Sequence, residues 1–396
     1  MRYLFWIVVF TLASCASSRL ARQSTGHNKA LPETAGDTAV VKLDTVQHPL
    51  DTVKVTVGPI IIDTEVHIPP KDTLTFIGVG DIMMGTNYPN TDRLPPHNAR
   101  ELMKEVSHLL RDADITMGNL EGVLLDAGGT PKGCRNPDVC YVFRSPTAFA
   151  ANLVEAGFDI MGLANNHAGD FGDTGRKSSM KTLDSLGIRH AGLLAQPYVV
   201  FEKENIKYGF AAFAPNSGCA NINDLVAAKA TIAHLDSLAD VVIVSFHGGA
   251  EGSKYEHVPR QHEIFVGEDR GDVYHFAHAV IDAGADIVFG HGPHVTRAIE
   301  VYKNRFIAYS LGNFCTYGGF NLSGVNGWAP IIKVFTDRKG VFHKAKITPV
   351  YQTPMSPVRI DLQGRVIKRI RQLTLEDFPE VPIAIDEEGW VRYSTK

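Results

Sequence analysis

The sequence predicts an α/β layered domain, and three observations lead to it. From about Leu74, short runs that are apolar on both faces alternate with segments of helical periodicity, as buried strands of a covered sheet do. After Pro293 the pattern turns to strands alone. Several of the apolar runs also stop at Asp, Asn, Glu or His, at the strand ends where open α/β sheets collect ligands.

Size and composition agree. The 396 residues are 44% apolar and 21% charged, enough for a sizeable core, which excludes a wholly disordered, collagen-like or coiled-coil chain. With 39 basic against 43 acidic residues, nothing points to nucleic acid as a partner.

The first fifteen residues read MRYLFWIVVFTLASC: one cation, an apolar run too short to span a bilayer, then small residues ahead of Cys15. The ending resembles a bacterial lipobox, which implies a signal peptide over 1–14 and a lipidated Cys15. An ordinary secretory signal with a chance cysteine is the other reading. Residues 15–72 read as a Thr/Asp/Val-rich stalk. Asp-Thr recurs at Asp37, Asp44 and Asp51, but the β-branched residues, Pro49 and Pro59 argue against a coiled coil. The expected location is the bacterial cell envelope, lipid-anchored and facing outside the cytoplasm.

The domain is expected over 73–352. In order, Leu74–Val79 reads as a strand ending at Asp81, Asn98–Ala113 as a helix through Leu102, Val106, Leu109 and Leu110, and Asp114–Gly118 as a strand. Helices follow at Pro146–Ala156, Gly175–Leu186, Asp224–Leu238 and Val273–Ala283. Strands alternate with them at Asp159–Leu163, Tyr208–Ala214, Val241–Phe246 and Asp286–Phe289. The β-only part comprises Ala298–Tyr302, Phe306–Ser310, Ile331–Thr336 and Val341–Val350, with turns at Asn304 and Lys339-Gly340. Residues 353–396 are mixed in character and are expected to pack on the domain as an extension.

The polar strand ends are Asp81, Asn119-Leu120-Glu121, Asn165-Asn166-His167, His247 and His291-Gly292-Pro293-His294. Singly, each has an ordinary explanation as a turn former, a helix cap or a hydrogen-bonded buried histidine. Together they suggest one shared site. Carboxylate oxygen with imidazole nitrogen suits one or two divalent ions, Mn, Zn or Fe, acting as Lewis acids on bound water.

The ordered motifs Gly80-Asp81-Ile82-Met83-Met84-Gly85, Gly118-Asn119-Leu120-Glu121-Gly122, Leu163–His167, His247-Gly248-Gly249-Ala250-Glu251 and Gly284–Phe314 resemble the bacterial poly-γ-glutamate capsule synthesis (CapA) family. The resemblance runs from about Leu74 to Val350. It implies a calcineurin-like metallophosphoesterase fold, a four-layer sandwich of two mixed β-sheets flanked by helices. It also implies Asp81, Glu121, Asn166, His247, His291 and His294 as metal ligands, with His167 as general acid. Departures stand out: Met83 occupies a histidine position and Asn119 that of the bridging aspartate, leaving Glu121 as the substitute carboxylate. Gly248 replaces a tryptophan in the family's His-Trp-Gly-x-Glu pattern. Asn119, Glu251, Arg144 and Arg297 are further metal- or substrate-binding candidates.

The resemblance implies a metal-dependent hydrolase-like protein working on an anionic polymer or small anionic substrate beside membrane capsule-synthesis proteins. A non-catalytic metal- or polyanion-binding accessory role is the alternative. Five cysteines then divide as lipid anchor Cys15, a local disulfide between Cys134 and Cys140 across a turn-rich loop, and Cys219 and Cys315, either paired or as two buried thiols.

Overall fold

A computed structural model describes residues 71–133 and 140–394. The lipobox at Cys15, the stalk as far as residue 70 and the Cys134 side of the expected disulfide lie outside the described residues; Cys140 is disulfide-bonded.

The chain opens with β1 (Leu74–Met83), α1 (Ser107–Leu110), β2 (Ile115–Leu120) and a short parallel pair, β3 (Val123–Leu124) with β4 (Arg144–Ser145). Next come α2 (Ala151–Ala156), β5 (Ile160–Gly162), α3 (Gly172–Ser185) and β6 (Arg189–Ala191). The middle third holds β7 (Tyr198–Lys203), β8 (Ile206–Phe213), α4 (Leu225–Asp236), β9 (Val241–His247) and a small ladder of β10 (Ile264–Phe265) and β11 (Glu268–Asp269). It continues through α5 (Val273–Asp282), β12 (Ile287–His291), β13 (Ile299–Tyr302) and β14 (Arg305–Ala308). The last part comprises β15 (Asn313–Thr316), β16 (Trp328–Thr336), β17 (Phe342–Tyr351), β18 (Arg359–Ile360), α6 (Arg365–Asp377), β19 (Ile383–Ile385) and β20 (Trp390–Tyr393).

Two mixed sheets result. Ten strands form one, in the order β19-β20-β17-β16-β1-β2-β5-β6, with β15 beside β1 and β18 beside β17. Six form the other, in the order β13-β14-β12-β9-β8-β7. In the six-stranded sheet a parallel centre of β14, β12, β9 and β8 is flanked by antiparallel β13 and β7, whereas in the ten-stranded sheet the parallel block of β15, β1, β2, β5 and β6 runs out to the β6 edge and antiparallel strands join it through β16. This is the α/β arrangement the sequence predicts, two mixed sheets with helices outside them.

The residue pattern explains the layering. In β9, Val241 and Ile243 face the core between the sheets while Val242, Val244 and Phe246 pack under α4 and α5. A strand covered on both sides has no polar face to alternate with, hence its continuous apolar run. Between the sheets lie Phe76, Tyr208, Phe289 and Phe306, each ring worth roughly 2 kcal/mol of burial. Gly78 of β1 makes room for Phe289, whose ring a Cβ would meet at 2.4 Å. Asp224 and Asp272 cap α4 and α5 by accepting from the amides of Ala227 and His275.

One expected element differs. Of Asn98–Ala113, only Ser107–Leu110 is α-helical. Upstream the chain leaves Pro95-Pro96 with positive φ at His97, Asn98 and Ala99 and proceeds by turns such as Leu102 N–H to Ala99 O. Leu102, Met103, Val106 and Leu110 are buried all the same. Their spacing reported a buried face, which successive tight turns also provide. The segment after residue 353 contributes α6, which sets Val366, Ile367 and Ile370 into the core, and β18 and β20, which extend the sheet from β17.

Cys219 and Cys315 are buried free thiols, so they do not pair. Burial pushes their pKa values up to about 11 and about 12, Cys219 being eased back slightly by its bond to the Asn165 carbonyl. At pH 8 both are expected to resist alkylation in the folded chain and to react once it is unfolded, as mass spectrometry would show. Gly290, the residue before His291, has the Tyr309 carbonyl and the Phe246 ring 2.4 Å from where a Cβ would sit. Gly290→Ala is therefore expected to cost about 3 kcal/mol in urea unfolding, and Gly133→Ala, in open space, less than about 0.5 kcal/mol.

Candidate metal centre

Polar residues from both sheets meet at the C-terminal ends of the parallel strands. Asp81 at the end of β1 is in register with Asn119 on β2 and Asn313 on β15; His247 and His291 are register partners at the ends of β9 and β12. Glu121 follows β2, and the Asn165–His167 turn follows β5. His294 enters by a tight turn: Gly292 has φ 113° and packs against the Gly248 backbone, and His294 itself is left-handed at φ 56°. A non-glycine residue in that region carries strain, which concentrates at functional sites.

Asp81 is fully buried. It accepts from the Asn119 amide (2.8 Å) and from His294 Nδ1 (3.0 Å), and His291 Nδ1 lies 3.3 Å away. Burial opposes its ionisation, but the contacts with His291 and His294 outweigh this and hold the carboxyl well below its usual range. Glu121 contrasts with it. Both its oxygens are buried without a hydrogen-bond partner, although Oε1 lies 3.4 Å from Nε2 of His247 and of His294 and 4.0 Å from Nε2 of His167. Burial, with the Asp81 charge added, raises the Glu121 carboxyl well above its usual range.

His247 and His291 also have both ring nitrogens unpartnered, as has the Asn166 side-chain oxygen. Burial, then the charge of Arg270, keeps His247 well below the ordinary imidazole range, in the neutral form a metal requires. His294 is driven the other way: burial lowers it, but Glu121, Asp81 and Glu251 raise it to about 10.

Buried side chains that face one another at 3.4 Å with no hydrogen bond between them are arranged as ligands of a cation. Glu121, His247 and His294 each offer an atom within 4.8 Å of the others. Their one carboxylate and two imidazoles, with Asp81, His291 and Asn166 at hand, fit a divalent transition metal.

His167 stands beside this cluster. Its Nδ1 is 2.8 Å from Asp170 Oδ2, its ring lies on Phe143, and Nε2 is turned to Glu121. Asp170 is fully buried, accepts from the Phe143 amide at 2.6 Å and pairs with Lys132 at 2.6 Å. Burial depresses the His167 pKa, the Asp170 charge opposing.

The remaining candidates sit around the cluster. Asn119 bridges Asp81 and Asn165, both ends of its amide engaged by protein, and so positions rather than ligates. Glu251 pairs with Arg270 at 2.8 Å within electrostatic reach of Glu121 and His294. Arg297 is buried against Glu263 with two 2.7 Å bonds, its Nε donating to the Tyr255 carbonyl. Arg144 bonds Asn87 at 2.6 Å and lies over the Tyr88 and Phe171 rings. Met83 accepts from the Gly85 amide through sulfur. Sequence reasoning missed Asp170, Lys132 and Arg270, and named Asn165 among the polar strand ends without a role of its own. Only Asp170 left a local signal, a carboxylate three residues after a histidine.

A family model described as bacterial capsule synthesis protein PGA_cap matches residues 75–317. The chain is 29% identical over 264 residues to the capsule biosynthesis protein CapA of Bacillus anthracis, covering 62% of this chain and 60% of that one. It is 28% identical over 324 residues to the PGA biosynthesis protein CapA of Bacillus subtilis (strain 168), covering 76% and 78%. Among solved structures, a novel phosphatase from Mycoplasma pneumoniae aligns with a TM-score of 0.46 at 14% identity, over 72% of this chain and 95% of that one.

Elemental analysis of the purified chain is expected to find a divalent ion, lost in Glu121→Ala and His247→Ala. At free ion about 100-fold above its dissociation constant, chelation should lower wild-type stability by ~3 kcal/mol and leave Glu121→Ala unmoved. A wild-type unfolding curve indifferent to chelator, with no metal present, contradicts this centre.

Proposed function

The chain belongs to the PGA_cap family of bacterial capsule synthesis proteins, and we propose that it acts at the cell envelope on an anionic polymer of the poly-γ-glutamate type, through a metal-dependent hydrolase-like site. The unpartnered ligands around Glu121, beside the His167–Asp170 pair, carry this reading. The lipid anchor at Cys15 belongs to the same proposal. Among the described residues no helix is long and apolar enough to cross a membrane.

One or two divalent ions would be held by Asp81, Glu121, Asn166, His247, His291 and His294, and would supply Lewis acidity toward a substrate oxygen or water. The chain's own groups handle the proton. With Nδ1–H given to Asp170, His167 Nε2 carries a lone pair, and its lowered pKa keeps it neutral at rest. It would therefore take a proton from the attacking water and return it to the leaving group. The resemblance implies only the second of these steps. Asp170, locked by the Phe143 amide and Lys132, fixes the tautomer and the ring plane.

A second reading, a non-catalytic binding protein, is favoured by one observation: the bridging-aspartate position is Asn119, whose amide is spent on Asp81 and Asn165. Turnover decides between them. The metal-loaded chain is expected to cleave an activated phosphodiester or a γ-glutamyl peptide. His167→Ala should lower kcat by about 100-fold or more with metal content unchanged, and Asp170→Asn by less. Metal without turnover of either substrate would establish the binding role, and full activity in His167→Ala would remove His167 from the chemistry.

A further inference from the structure

Among the arginines built into the protein beside carboxylates, Arg369, Arg297 and Arg270 bear comparison, and the last differs. Arg369 grips Glu256 with Nε and Nη2 at 2.8 and 2.7 Å, and Arg297 grips Glu263 with both Nη groups while Nε donates to Tyr255. Arg270 is just as deeply placed, 2% exposed, yet only Nη1 has a partner, Glu251. Its Nε and Nη2 are buried without any protein acceptor. Arg371, half-buried on α6 with Glu387 at 4.0 Å, also has Nε and Nη2 buried without an acceptor.

Arg270 belongs to the metal-centre wall. Its carbonyl accepts from the Gly249 amide at 2.8 Å, two residues after His247, and its own amide donates to Glu263, the residue that anchors Arg297. Its charge reaches both Glu121 and His247. A buried cation with two unmet donors costs the fold more than the ~1–3 kcal/mol of a neutral unmet group. Nε and Nη2 form the guanidinium edge that holds two oxygens of one anion at once, as Arg369 holds Glu256.

We propose that the Nε/Nη2 edge of Arg270 is the oxyanion-recognition element of this site, gripping a paired-oxygen anion of the substrate, a carboxylate or a phosphoryl group, beside Glu121 and His247. Glu251 holds the guanidinium by its remaining nitrogen and sets its plane. The inference deepens the proposed function by naming what the site recognises. It requires neither turnover nor a bound metal, because the edge is made by the protein alone.

The test titrates the full chain by calorimetry with inorganic phosphate and, separately, glutarate, once after chelation and once loaded with Mn²⁺. At least one anion is expected to bind in the chelated protein, with Arg270→Gln weakening it tenfold or more, while in the Mn²⁺-loaded arm that variant holds as much metal as wild type. Arg270→Lys should recover part of the loss, since it restores charge without the fork. Glu251→Gln keeps an oxygen to hold Nη1 while removing the neighbouring negative charge, so it should tighten binding several-fold, which keeps a readout if Arg270→Gln fails to fold. Preference for glutarate assigns a carboxylate polymer, and preference for phosphate a phosphoryl substrate. Wild-type protein that binds neither anion, Arg270→Gln that binds as wild type, or Glu251→Gln with unchanged affinity overturns the proposal. Because the chelated arm contains no metal, failure here is distinct from failure of the hydrolase reading, which metal content and turnover report.

Discussion

Two carboxylates buried side by side, Asp81 and Glu121, are the constraint on which the rest of the centre depends. Removing such ions from water costs several kcal/mol apiece unless opposite charge and hydrogen bonds replace the solvent. The protein divides the burden unequally. Asp81 receives Asn119 and His294 and stays ionised, whereas Glu121 receives no hydrogen bond and is pushed toward its protonated form. The asymmetry leaves an acceptor-rich gap at Glu121, faced by two imidazoles that also lack partners or share them elsewhere. A cation resolves the conflict for both carboxylates at once, and that is the physical basis for a metal here, independent of any likeness to other proteins.

The surrounding fold is arranged to hold that gap open. Parallel strands from two sheets end at the same level, so that one sheet supplies Asp81 and Glu121 and the other His247 and His291. Asn119 and Asn165 form a chain of amides behind Asp81, and the Asn165 side chain in turn accepts from the His167 amide. The loop carrying His167 is therefore tied to the carboxylate layer by hydrogen bonds rather than by packing alone. On its far side, Phe143 stacks on His167 and donates its amide to Asp170. Phe143 lies three residues beyond the disulfide-bonded Cys140, so the ring against His167 is close in sequence to a covalent restraint.

How much of this could be read from sequence depends on where each partner lies. The strands β9 and β12 and their polar ends were legible because doubly covered strands are apolar without interruption and a polar residue at their end is conspicuous. The turns over residues 97–106 were not, since helical spacing of apolar residues specifies a buried face and leaves the backbone open. The short β6 and β15 carry too few residues for a period, and β7 is only half-buried along most of its length. Arg297, three residues from His294, looked like a site residue. The structure gives it to Glu263, a partner 34 positions away that no local pattern announces. Arg270 escaped notice for the same reason: its meaning lies in the acceptors it lacks, which only the folded chain defines.

Position 248 shows how these tertiary facts account for a sequence departure. The capsule-family pattern resembled by this chain places an aromatic residue after the isolated histidine, and here Gly248 stands in its place. A Cβ at 248 would lie 2.8 Å from the Arg270 carbonyl and 3.1 Å from Ile222, while Gly292 packs on the same backbone from the other side. The room an indole would need is therefore occupied by the segment that delivers Arg270. An aromatic wall and a buried guanidinium are alternative solutions for one side of the candidate centre, and their consequences differ. Aromatic faces favour apolar or cationic groups, whereas a guanidinium with its Nε/Nη2 edge unpaired favours anions. A side chain at 248 would thus press on the Arg270 backbone, and this side of the candidate centre carries a cation where the family pattern would place an aromatic ring.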